Sequence, residues 1–310
     1  MQGHPESFAG IRLRVSLILL CASAPLAAQQ FRASVDLVRL PVIVTAKDGV
    51  LVRGLKAVDF DVLEDGKPQK VEYFAEGAPG EVLPLHLGLA LDTSESMGGD
   101  LREAAGAAIQ FVEALEEAVD VTFLDFDSTV RMGRFSPSSY PLLFERIRER
   151  KAKGMTALYD ALGAYLEGSL SRAGQHVVLL YTDGGDSSSR MPYNKLQDLL
   201  RLGNAIVYAI GYLENQSSTS RMSQQLRVQQ IARETGGDAY FPASANQIHE
   251  FYAKILDELA SRYTIGYLPP NPTPDGKFRK VEVKLKRTDL KGAKVRTRPG
   301  YLVATVTEGR

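Results

Sequence analysis

Between residues 83 and 260 the chain carries short, almost wholly apolar runs separated by stretches of helical period, and this alternation limits its fold most sharply. Leu85-His86-Leu87-Gly88-Leu89-Ala90-Leu91, Val121 to Phe126, Val177-Val178-Leu179-Leu180-Tyr181 and Ala205 to Ile210 each have strand length and little polar character. Such runs mark strands buried on both faces, as in a parallel sheet covered by helices. After the first run, Leu101, Ala105, Ala108, Val112 and Leu115 recur at helical spacing. Leu143 with Ile147, the series Leu158, Leu162, Leu166 and Leu170, and Leu196 to Leu200 mark further helices. Gln224 to Thr235 reads as a helix stopped by Gly236-Gly237, followed by a short strand at Ala239-Tyr240-Phe241. Ile248, Phe251, Ile255 and Leu259 close the region on a helix. Strands alternating with helices imply right-handed βαβ units, so the expected class is α/β with a doubly wound, mainly parallel sheet.

On either side the pattern changes to strand alone. Residues 31–78 hold Val35-Asp36-Leu37-Val38, Val42-Ile43-Val44 and the alternating Val58-Asp59-Phe60-Asp61-Val62. Lys47-Asp48-Gly49 and Glu64-Asp65-Gly66-Lys67 are turn signals between them. Residues 262–304 return to β at Tyr263 to Leu268, Val281 to Leu285 and Lys294 to Thr297, interrupted by Pro269-Pro270-Asn271-Pro272 and Asp275-Gly276. About four strands before and three after are each too few to bury a core alone. The flanks are therefore expected to join in one β-rich, sandwich-like accessory domain, with residues 83–260 inserted between them.

The first 28 residues read as a secretory signal peptide. Arg12 and Arg14 precede the apolar run Val15 to Ala22, which leads into small residues ending at Ala27-Ala28. The run is shorter than the roughly 20 residues of a membrane span. The mature chain is expected to start near Gln29 or Gln30, with no stable membrane span once the leader is removed. Its place would be the periplasm, the outer envelope or the extracellular space. The single cysteine, Cys21, falls inside the leader, so the mature chain would have no thiolate metal site and no disulfide. Thirty-seven basic residues balance thirty-seven acidic ones. With no net basic field and no Lys/Arg cluster apparent, no nucleic-acid partner is expected.

Chemistry concentrates at strand ends. Asp92-Thr93-Ser94-Glu95-Ser96 closes the first buried strand, in the place where open parallel sheets bind ligands. Alternation along an extended turn lets Asp92, Ser94 and Ser96 converge, which suits a hard cation that takes oxygen ligands. Lys153-Gly154-Met155-Thr156-Ala157-Leu158 precedes a helix, and Tyr181-Thr182-Asp183-Gly184 ends another buried strand. The set resembles the metal-ion-dependent adhesion site of von Willebrand factor A domains, whose five positions map onto Asp92, Ser94, Ser96, Thr156 and Asp183. Leu158-Tyr159-Asp160-Ala161-Leu162 and Thr235-Gly236-Gly237 also fit that family. The flanks Asp59 to Lys67, Tyr263-Thr264-Ile265-Gly266-Tyr267 and Arg298-Pro299-Gly300-Tyr301 resemble a subfamily known mainly from Acidobacteria.

The resemblance implies a Rossmann-like domain over about residues 83–260 and one divalent cation, Mg²⁺ first, with Mn²⁺ or Ca²⁺ as alternatives. In that family the serines and, in the open state, the threonine bind metal directly, while the aspartates act largely through water. It also implies a protein partner presenting Asp or Glu to the open side of the ion. Glu95 departs from the pattern by adding a charge beside the site. Glu95, Asp186, Asn215 and Arg221 are candidates for the ligand face, the last two in a polar loop read over Leu213 to Ser223. His86, His176 and His249 read as structural, and no Gly-x-Ser-x-Gly, His-Glu-x-x-His or P-loop motif is present. The expectation is an exported binding or adhesion module, not an enzyme. An envelope scaffold is the runner-up, and a metal-assisted hydrolase stands lower.

Overall fold

The computed structural model describes residues 37–77, 83–213, 217–243 and 245–304, so the leader read over residues 1–28 lies outside the described residues. The N-terminal flank supplies β1 (Val38–Thr45), β2 (Phe60–Glu64), β3 (Lys67–Gln69) and β4 (Tyr73–Glu76). The central region opens with β5 (Leu85–Asp92), α1 (Leu101–Ala114), β6 (Ala118–Phe126), β7 (Val130–Phe135), α2 (Tyr140–Arg148) and α3 (Leu158–Leu170). It continues through β8 (Gln175–Thr182), α4 (Tyr193–Leu202), β9 (Ile206–Gly211), α5 (Ser218–Glu234), β10 (Ala239–Tyr240) and α6 (Ala245–Ser261). The C-terminal flank forms β11 (Tyr263–Tyr267), β12 (Phe278–Leu285), β13 (Lys294–Arg296) and β14 (Gly300–Leu302).

Six strands make the central sheet in the order β10-β9-β8-β5-β6-β7, all parallel except β7. Every residue of β5 is buried. Leu85, Leu87, Leu89 and Leu91 join one core with α1, α2 and α6, while Ala90 joins a second with α3, α4 and α5. Alternate residues thus serve opposite faces, which is why the run had to be apolar throughout. At the far side, Gly237 lets the chain leave α5 against β9: a Cβ there would lie 2.0 Å from the Val207 carbonyl oxygen. Thr235 Oγ1 accepts from Val207 N at 2.9 Å at the same junction.

Three boundaries differ from the sequence reading. Strand β7 stands where a helix was expected to follow β6 directly; it is a half-exposed edge strand, Val-Arg-Met-Gly-Arg-Phe, and so lacks the apolar run that betrays inner strands. Strand β1 runs unbroken through Pro41, where two short strands were read. Pro41 pairs with Thr264 on β11, and β13 pairs only farther along, so the missing N–H interrupts no second ladder. Helix α5 begins at Ser218, inside the stretch read as loop. Ser217 Oγ accepts from Ser220 N at 3.3 Å, and serines that cap a helix resemble loop in sequence.

The flanks interleave. One sheet has the order β13-β1-β11-β4 and the other β14-β12-β2-β3, and every pairing is antiparallel. Each sheet therefore mixes strands from both sides of the central region, including β14, which is too short to read from sequence. Leu40, Val42, Tyr263 and Ile265 of one sheet share a core with Phe60, Val62, Val281 and Val283 of the other. Asp65 and Gly66, both at positive φ, make the two-residue β2–β3 turn that Asp-Gly favours. Arg298 locks the two parts together, donating to the carbonyl oxygens of Leu200, Arg201 and Gly203 at the end of α4.

Candidate metal centre

Strands β5 and β8 are neighbours, and the chain leaves them toward opposite edges of the sheet, so their C-terminal ends flank the switch point. Asp92 is the last residue of β5, and Asp183 directly follows β8. The turn after β5 folds on its own side chain: Ser94 N donates to Asp92 Oδ1 at 2.9 Å, and Ser94 Oγ lies 3.2 Å from Ser96 Oγ. Thr182 Oγ1 donates to Asp92 Oδ2 at 2.7 Å, tying the two strand ends together.

The loop before α3 is stitched to both. Lys153 N donates to Thr93 O at 2.9 Å, and Glu95 N donates to Gly154 O at 3.0 Å. Thr156 N donates to Ser187 Oγ at 3.0 Å, and Thr156 O accepts from Ser187 N and Ser188 N. Asp183 Oδ1 accepts from Gly185 N at 2.8 Å. Backbone bonds therefore hold the three loops in register with one another. Asp92, Ser94, Thr156 and Asp183 are buried, and Ser96 is exposed at the rim.

Burial pushes the Asp92 carboxyl up to about 7, helped by the charge of Asp183, although hydrogen bonds from Ser94 and Thr182 pull it down. Two buried carboxylates among neutral hydroxyls form an oxygen-only set that suits Mg²⁺, Mn²⁺ or Ca²⁺. A divalent cation would offset both charges. Among the described residues no group of three or more His, Cys, Asp or Glu gathers as a metal cluster, so hydroxyls have to complete any such set here.

Of the ligand-face candidates, Glu95 is exposed beside the loop. Asp186 turns to α3, its Oδ1 accepting from Tyr159 N at 3.2 Å and Ser189 Oγ at 2.5 Å. Arg221 sits in the first turns of α5, and Asn215 lies outside the described residues. His86 and His176 pair across β5 and β8 as a stacked couple 4.9 Å apart, at the other end of the sheet.

Sequence reasoning gave no role to Thr182 or Ser187, which orient the carboxylate and the threonine loop. Their signal was position alone, each beside a motif residue. It also missed a buried ion cluster behind the site. Asp125 is fully buried and bonded by Arg131, Arg146 and Arg150, the last two at 3.2 and 3.3 Å. Burial would raise the Asp127 carboxyl, but hydrogen bonds from Arg131 and Thr129 outweigh it and hold the group below the ordinary value.

The sequence reading singled out no Lys/Arg cluster, and packing gathers four basic side chains in one groove. Arg102, Arg148, Arg150 and Lys151 line a groove of about 880 Å³ between α1 and the end of α2 together with Glu113, and Arg150 is also bonded to Asp125. Gly98 and Ala152 close its end next to the Ser94–Ser96 turn. Arg148, Arg150 and Lys151 alternate with Glu145 and Glu149 in sequence, so net charge conceals them until α1 brings Arg102 alongside.

No curated protein matches the chain. Solved structures similar to it include a von Willebrand factor type A protein from Catenulispora acidiphila, at 14% identity and TM-score 0.48, covering 90% of this chain and 76% of that one. The von Willebrand domain of the type V pili tip protein Mfa5 from Porphyromonas gingivalis is similar at 12% identity and TM-score 0.45, over 57% of this chain and 96% of that one. The pilus adhesin SpaC from Lactobacillus rhamnosus GG is similar at 11% identity and TM-score 0.46, over 80% of this chain and 48% of that one. In sequence, the von Willebrand factor type A domain matches residues 86–254, more than half of the chain and the whole span from β5 into α6. With its six-stranded, mostly parallel sheet covered on both faces, the chain belongs to the von Willebrand factor type A domain family.

Proposed function

We propose that this chain is an exported, metal-dependent protein-binding module that captures an acidic side chain of a partner through one divalent cation. The observation that supports the reading is that the three loops carrying Asp92, Ser94, Ser96, Thr156 and Asp183 are hydrogen-bonded to one another at the sheet's switch point. Hydroxyl ligands quench a cation little, so an ion held here keeps an electron-poor open side that favours a partner's Asp or Glu. The chain's own residues hold the site in shape. Thr182 and Ser94 orient Asp92, Ser187 and the 153–154 backbone position Thr156, and Gly185 fixes Asp183.

The cationic groove beside the site supports the same class of partner, since it would attract the acidic surroundings of the captured carboxylate. The leader motif supports export. Among the described residues no helix is long and apolar enough to cross a membrane. The flanking motifs over Asp59–Lys67, Tyr263–Tyr267 and Arg298–Tyr301 support placement in the Acidobacterial subfamily.

Partner capture from an envelope extract, with and without EDTA, tests the reading on wild type and Asp183→Ala. Capture should need Mg²⁺ or Mn²⁺ and be lost in the variant. Capture indifferent to EDTA and to the substitution would favour an envelope scaffold in which the A domain holds other parts in place.

A further inference from the structure

At the end of the central sheet opposite the metal centre lies a buried cation with an unmet donor among the described residues. Arg262, between α6 and β11, is 6% exposed, and its Nη1 has no hydrogen-bond partner among the described residues. Burial lowers its pKa from the ordinary arginine value, yet a guanidinium stays charged at neutral pH. Arg298 shows the contrasting case in the same chain. It is 4% exposed, and its guanidinium donates to the carbonyl oxygens of Leu200, Arg201, Gly203 and Gly300. A buried charged donor without an acceptor is unfavourable, so some group is expected to meet Arg262 Nη1.

The space for that group is present. Arg262 lines a cleft of about 80 Å³ where the starts of β8 and β9 meet β1, β4 and β11. A water needs only about 10–15 Å³ measured in this way, so the cleft takes several waters or one small polyatomic ion. Its polar walls are Arg39, Tyr73, Gln175, His176, Asn204 and Thr264, and among the described residues no Asp or Glu lines it. The exposed guanidinium of Arg39 lies 5.8 Å from the ring centre of Tyr73, at the cleft's edge. Glu117 and Tyr208 pull the Arg262 pKa upward through their fields, but neither lines the cleft. Two guanidiniums exclude a cation, and an apolar ligand would leave the buried N–H groups unmet.

We propose that this cleft binds a small oxyanion, phosphate or carboxylate, with Arg262 as its buried anchor and Arg39 as its outer clamp. Gln175, Asn204 and Thr264 supply neutral donors around it. Because Gln175 and Asn204 come from the A domain and Arg39 and Thr264 from the sandwich, the anion would bridge the two parts. This site does not depend on the metal centre.

Thermal unfolding of the intact chain in EDTA tests it, with sodium phosphate or sodium acetate titrated against sodium chloride at equal ionic strength and pH. Phosphate, acetate or both should raise the midpoint by several degrees along a saturating curve, and the active anion identifies the chemistry. Arg262→Met should abolish that rise, and Arg39→Gln should shift the half-saturating concentration upward about tenfold. Arg102→Gln, on the distant groove, should respond as wild type does. The proposal is overturned if neither oxyanion stabilises more than chloride, which is what a cleft holding only water gives, or if Arg262→Met responds as wild type does. If Arg262→Met does not fold, Arg39→Gln and Asn204→Leu carry the comparison, and an unchanged response in both overturns it.

Discussion

At the C-terminal ends of β5 and β8 two buried aspartates sit among hydroxyls and backbone N–H groups, while at the N-terminal ends of β8 and β9 a buried arginine sits among amides and a second arginine. One end gathers negative charge that a cation would balance, and the other gathers positive charge that an anion would balance. The ends differ in how their residues reach the site. The aspartates arrive in short motifs at the ends of two neighbouring strands, and the family resemblance of those motifs announces them. The arginine cleft draws its residues from β1, β4, β8, the start of β9, β11 and the α6–β11 junction, and no local motif precedes it.

The largest expected effect breaks the first half of this contrast. Calorimetric titration of Mg²⁺ or Mn²⁺ should show one site in wild type and an affinity about 100-fold weaker or worse in Asp92→Ala. The far-ultraviolet circular dichroism should be unchanged, because apolar strands hold the sheet. Equal uptake by both proteins would mean that the ion, if any, sits elsewhere.

Next in size is a paired substitution at the two buried arginines. Arg298→Met strips donors from the carbonyls ending α4 and should destabilise by roughly 3 kcal/mol. Arg262→Met removes an unmatched charge, so in buffer free of oxyanions it should stabilise by about 1 kcal/mol or more. Urea unfolding at pH 7.5 in chloride reads both. Two losses of similar size would show that Arg262 already has a protein partner.

A smaller effect sharpens the view of the metal face. Replacing Arg148 and Lys151 by glutamate should slow association of an Asp-rich peptide about tenfold at low salt. The difference should shrink as salt screens the groove, while Mg²⁺ affinity stays as it was. Surface plasmon resonance over a salt series would show it, and an unaltered on-rate would confine recognition to the ion.

The smallest effect concerns His176. Burial holds its imidazole below the ordinary value, with the hydrogen bond to the Arg172 carbonyl working the other way. The unfolded chain therefore takes up this proton first. Its contribution to stability is complete above about pH 6.5 and is lost as pH falls below it. The urea midpoint should fall between pH 7.5 and 5.5, and His176→Gln should flatten that slope. Midpoints falling in parallel would assign the loss to other groups.

How much was legible follows from the range of the interactions involved. Each inner strand needed both faces buried, and each covering helix needed one apolar stripe, so the α/β class could be read from local periodicity. Turn chemistry at Asp65-Gly66 is equally local. The candidate residues at strand ends could be named because their short motifs resemble a known family, and a parallel sheet brings such loops to one edge. Strand β7 could not, since an edge strand half in water has no apolar signature. The start of α5 was hidden because its serine cap is spelled like a loop. The cationic groove and the Arg262 cleft depend on which elements come to lie side by side. Only packing decides that, because charge and hydrogen bonding act across space between residues that the chain keeps far apart.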